Sequence, residues 1–98
     1  MTMPQQQLQI QVPDDLEAGV YANLTAVWFT PFEFTLDFAV MQPPAADTDG
    51  NSVLPARVVS RVKFPSTQVF QLIKAINEAM TGYENTFGPI VEPTPKAT

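Results

Sequence analysis

From Val20 to Met41 the sequence alternates as a pleated strand does, breaks at Thr30-Pro31-Phe32-Glu33, and then alternates again. Residues two apart share one face of a strand, so the spacing predicts a long β-hairpin. Its even positions, Val20, Ala22, Leu24, Ala26 and Trp28, then Phe34, Leu36, Phe38 and Val40, form an apolar set. The odd positions mix Asn23, Thr25, Thr35 and Asp37 with hydrophobes. Pro31 cannot take positive φ, which excludes the two-residue primed turns. Hydrophobic patterning sets register, and joining the two even faces pairs Trp28 with Phe34 and Leu24 with Phe38. That pairing requires an odd number of loop residues, which a three-residue connection supplies; a four-residue loop swaps the faces.

The flanking segments complete the expected fold. Residues 1–7 are polar and read as a flexible N-terminus. Leu8, Ile10 and Val12 alternate with Gln9 and Gln11 and predict a first strand that Pro13 ends. Asp14 to Gly19 reads as a turn with one helical turn capped by Asp14, and Gly19 frees the chain to reverse. Gln42 to Pro55, rich in proline and acid, is expected to be a mobile loop. Ala56 to Phe64 predicts another strand, with Val58, Val62 and Phe64 on the core side and Arg57, Arg61 and Lys63 opposite, able to lie near Asp37 and Glu33.

A helix is expected after Pro65, capped by Ser66 or Thr67. Its apolar stripe, Val69, Leu72, Ile73, Ile76, Met80, Tyr83 and Phe87, recurs at three and four residues, and Gly88-Pro89 stops it. The predicted fold is α+β: a four-stranded antiparallel sheet with one long C-terminal helix packed on one face, in two layers. Residues 8–90 make a single domain with the loop at 42–55, and 91–98 form a flexible proline-rich tail.

Composition narrows the function. A chain of 98 residues buries only about 60–65% of its unfolded surface, which favours association with a second copy. It has no cysteine and no histidine, removing thiol nucleophiles, imidazole bases and the usual zinc and iron ligands. No enzyme activity, cofactor or metal is expected. The net charge is −5, and every acidic residue from Asp14 to Asp49 precedes the first basic one, Arg57. Without a dense basic stripe, nucleic-acid and anionic-membrane partners are disfavoured. The beginning of the sequence lacks a basic cluster and an apolar core, so a cytoplasmic location is expected.

Tyr21-Ala22-Asn23-Leu24, Thr30-Pro31, Glu33-Phe34, Asp37-Phe38, Ser60-Arg61 and Tyr83-Glu84 with Phe87-Gly88 occur together at specific spacings. In these residues, from about Leu8 to Ile90, the chain resembles a family of short bacterial proteins classed as domain of unknown function 3467. It departs from the family pattern in the 42–55 loop, which is longer and acidic, and at Pro65-Ser66, where threonine then proline is expected. The resemblance implies the fold and a bacterial cytoplasmic setting, and no activity. Four antiparallel strands followed by a helix is also similar in architecture to subunits of SecB-type export chaperones, although fold does not carry function.

Two groups of residues are the candidate sites. One helix covers one sheet face, leaving Val27, Phe29, Met41 and Val59, with Phe32 at the hairpin tip, as an interaction surface. Asn23, Asp37 and Arg61 form a candidate polar patch. The first implies a non-enzymatic, homo-oligomeric interaction protein with a chaperone-like or adaptor role. The second implies a small-ligand-binding or enzyme-accessory module. Glu33 and Asp37 without a third oxygen ligand or a histidine read as ion-paired carboxylates, and Arg61 as their structural partner.

Overall fold

Thr30 decides how the hairpin closes. In the computed structural model, which describes residues 6–92, its hydroxyl oxygen accepts the backbone N–H groups of Phe32 and Glu33, each at 3.2 Å. Its own N–H donates to the Glu33 carbonyl at 2.9 Å. Thr30 and Glu33 therefore oppose each other, with only Pro31 and Phe32 between them. Among the described residues only glycines take positive φ, so the turn respects the limit set by Pro31. The strands leaving it are β1, Leu24–Phe29, and β2, Glu33–Met41, both rich in the β-branched and aromatic residues that suit a pleated surface.

A connection with an even number of residues sets even positions of β1 beside odd positions of β2. The Phe29 and Phe34 rings lie 6.0 Å apart between centroids, and the Trp28 indole N–H donates to the Asp37 carboxylate at 3.0 Å. This corrects the expected pairing of Trp28 with Phe34. The hydrogen bonds around Thr30 fix the loop length, and the indole N–H gains an acceptor that the apolar face could not offer.

β5 spans Ala56–Pro65, and the three long strands run in the order β1-β2-β5. Asp37 meets Arg61, Thr35 meets Lys63, and Phe34 stacks on Phe64 at 5.9 Å; the descending partner numbers mark an antiparallel pair. The expected single four-stranded sheet is corrected in two places. Leu8, Ile10 and Val12 are exposed and form no strand: alternation supplies a face, but a strand also needs a neighbour to satisfy its backbone groups. The expected loop at 42–55 instead holds a second, two-stranded sheet of β3, Ala45–Ala46, and β4, Ser52–Val53, in which Ala45 pairs with Val53 and Ala46 with Ser52. Its turn is held by Asp47, whose Oδ1 accepts the N–H groups of Asp49 and Asn51, each at 2.9 Å. Gly50 supplies the positive φ of 82°.

The chain divides into two compact units to which β1, β2 and β5 all contribute. One combines residues up to Thr25 with Phe38–Ser60. It contains the β3-β4 sheet and the 3₁₀ turn Asp14–Leu16, where Gly19 donates back to the Leu16 carbonyl at 3.0 Å. The other combines Ala26–Asp37 with residues from Arg61 onward and holds the hairpin tip and the helix. The flexible segments expected at 1–7 and 91–98 lie largely outside the described residues.

A 3₁₀ turn at Ser66–Gln68 runs directly into α1, Val69–Phe87. Neither Ser66 nor Thr67 makes the expected side-chain cap; the residue before the 3₁₀ turn is Pro65. Gly88, at φ 101°, ends α1 as expected, its N–H donating to the Glu84 carbonyl at 2.9 Å. Val69 and Leu72 are half-buried, whereas every residue from Ile73 to Phe87 is exposed. Among the described residues the expected layer of helix on sheet therefore does not extend over α1 from Ile73 onward. The 3₁₀ turn is the whole connection between β5 and α1. Among the described residues the one buried apolar side chain is Ala39, accompanied by Thr35 and Asp37.

Candidate functional site

Alternation along the three strands sorts the hairpin-tip unit into two faces of opposite chemistry. Trp28 of β1, Glu33, Thr35 and Asp37 of β2, and Arg61 and Lys63 of β5 share one face. Val27 and Phe29, Phe34 and Leu36, Val62 and Phe64 share the other. β2 lies centrally, so its polar side chains are flanked by long neighbours on both sides. That position explains why Asp37 is only 4% exposed and Thr35 8%.

Asp37 is fully engaged. Arg61 Nε donates to Oδ1 at 2.6 Å, Arg61 Nη2 donates to Oδ2 at 2.8 Å, and Trp28 Nε1 donates to Oδ2 at 3.0 Å. Two parallel bonds from one guanidinium are the strongest geometry available to a carboxylate. The Arg61 hydrogen bonds hold the Asp37 carboxyl below its ordinary pKa of 3.8, with smaller contributions from Trp28 and the positive charges of Arg61 and Lys63, against an opposing effect of burial. Arg61 is pushed up by the same bond. Next along the ladder, Lys63 Nζ donates to Thr35 Oγ1 at 3.0 Å and lies 3.4 Å from Glu33 Oε1. A carboxylate held ionised with three donors on it is a structural anion, and it does not take up a proton near neutral pH.

The structure joins Asp37 and Arg61 of the candidate polar patch, and gives Asn23 a backbone role. Asn23 Oδ1 accepts the Met41 N–H at 3.0 Å, and the Asn23 N–H donates to the Ala39 carbonyl at 2.9 Å. Of the candidate interaction residues, Val27 and Phe29 belong to the charge-free face with Phe34 and Phe64. Phe29 and Phe32 are 77% and 83% exposed. Met41 is exposed and Val59 half-buried.

Sequence reasoning missed Trp28 as a polar-face residue and Lys63 as the Thr35 partner. The available signal for Trp28 was its N–H, which seeks an acceptor wherever the ring packs. Among the described residues no group of three or more side chains could hold a metal ion, and no helix is long and apolar enough to cross a membrane. A concavity of about 480 Å³ beside Phe70, Ile73, Lys74, Asn77, Glu78 and Thr81 has all its walls on α1, so it lacks the enclosure of a small-molecule pocket.

The chain belongs to a family described as proteins of unknown function, DUF3467, whose profile matches residues 1–92. This establishes the family that the motifs indicated. Neither the curated proteins nor the solved structures give a match, and the architectural likeness to SecB-type subunits gains no support.

Proposed function

For this member of the DUF3467 family we propose a non-enzymatic role as a self-associating interaction protein, an adaptor or chaperone-like subunit of the bacterial cytoplasm. Its contact surface is the apolar sheet face together with the hairpin tip at Phe32. One observation carries the reading: among the described residues a single apolar side chain, Ala39, is buried. Chains of this size fold close to the limit of what one hydrophobic core supports. Covering exposed apolar surface contributes about 25 cal/mol per Å², so association supplies the burial that one chain lacks. The polar face supports the same reading, because the Asp37 carboxylate already accepts three hydrogen bonds from Arg61 and Trp28.

Sedimentation velocity across nanomolar to micromolar protein tests the proposal. A mass of two or more chains at the upper end, falling on dilution, is the expected result. A monomer with a cooperative thermal transition throughout that range removes the reading.

A further inference from the structure

Two uncovered apolar faces lie in the same unit of this chain. One is the sheet face on which Val27, Phe29 and Val62 are exposed and Phe34, Leu36 and Phe64 half-buried. The other is the stripe of α1, which from Ile73 to Phe87 stays exposed among the described residues. An unsupported helix of that length is marginal in water, and Gly82 and the β-branched Ile73, Ile76, Thr81 and Thr86 weaken it further. A stable α1 therefore requires something to lie against.

The amount of exposed surface matches a protein partner. Ile73, Ile76, Met80, Tyr83 and Phe87 are between 42% and 74% exposed. At ordinary side-chain sizes they present roughly 600 Å², and the exposed parts of Val27, Phe29 and Val62 bring one copy to about the 800 Å² or more that each partner gives to a standard interface. The described part of the chain's own sheet does not cover the stripe, since all five of these α1 side chains stay exposed. Neither face carries a charged residue, so two chains of net charge −5 meet there without burying an ion.

A two-fold axis satisfies both faces at once, since the stripe of each copy meets the sheet of the other in two equivalent contacts. Resting on the self-association proposed above, we infer that α1 of one copy packs across the Val27, Phe29, Phe34, Leu36, Val62 and Phe64 face of a second copy, and reciprocally. The helix-on-sheet layering then forms between chains.

Cross-linking tests this directly, because a chain without cysteine gives unique reporters. Val27→Cys and Ile76→Cys chains carrying different affinity tags are mixed, exchanged and treated with a short bismaleimide. A covalent product bearing both tags is expected. Replacing the second chain with Glu78→Cys, on the opposite side of α1, lowers the yield at least about tenfold. Ile76→Asp, followed by sedimentation, raises the dissociation constant at least about 100-fold. A Val27→Cys/Ile76→Cys double variant that links only within one chain overturns the exchange. So do a Val27–Val27 link without a Val27–Ile76 link, and an Ile76→Asp protein that associates unchanged; in these cases self-association itself still stands. A wild-type chain that sediments as a monomer overturns both readings.

Discussion

The hairpin register is open to a quantitative test through the three rings that cross the sheet. Phe34 lies 6.0 Å from Phe29 and 5.9 Å from Phe64. Replacing Phe34 by leucine keeps most of the apolar volume but removes both ring pairs, each worth about 0.5–1.5 kcal/mol beyond area burial, so the expected cost is about 1–3 kcal/mol. Phe64→Leu and Phe29→Leu each lose one pair. Phe29 is 77% exposed, which places its cost near the lower figure, about 0.5 kcal/mol. The decisive quantity is the coupling in a double-mutant cycle by urea denaturation. Phe29 with Phe34 should couple by about 0.5–1 kcal/mol, whereas Trp28 with Phe34, on opposite faces, should add within about 0.3–0.5 kcal/mol. Equal m-values across the set would show that the denatured state is unchanged. A Trp28–Phe34 coupling larger than that of Phe29 with Phe34 would refute the register and restore the pairing of the two even faces.

Two further outcomes are expected. The lowered carboxyl of Asp37 contributes stability that is present above the ordinary carboxylate pKa and is lost as pH falls through the lowered value. Acid unfolding of the wild type should show that loss and Asp37→Asn should lack it; superimposable acid profiles would exclude the pair as a source of stability. Gly88→Ala should cost about 1–3 kcal/mol in a denaturant melt, because φ 101° and ψ 177° are disfavoured for a residue with a Cβ, although no atom lies within 4 Å of the added carbon. An unchanged midpoint would mean that the helix end relaxes without strain.

Features set by local chemistry were legible in the sequence. Gly88 marked the end of α1, and the alternation of Arg61 and Lys63 put a basic face beside Asp37 and Glu33, where the ion pairs form. The register was not legible from hydrophobicity, because the Thr30 hydroxyl holds the turn to two intervening residues and overrules the apolar pattern. The β3-β4 sheet had a signal in Asp47-Thr48-Asp49-Gly50, an aspartate followed by a glycine able to take positive φ, and loop composition obscured it. Leu8 to Val12 shows the converse error, a strand pattern without a neighbour to pair with. The stripe of α1 was visible, but periodicity records that a face needs covering and not which chain covers it.

The join at Pro65 to Val69 makes β5 and α1 a crank. Nineteen helical residues extend about 28 Å, so tilting the base by about 10° carries Phe87 through about 5 Å. At the base of α1 the Ser66 N–H donates to the Phe32 carbonyl, and Val69 and Leu72 of the first turn are half-buried. The exposed hairpin tip and the base of the rod therefore share an anchor, and a small displacement at that anchor is a large one at Phe87.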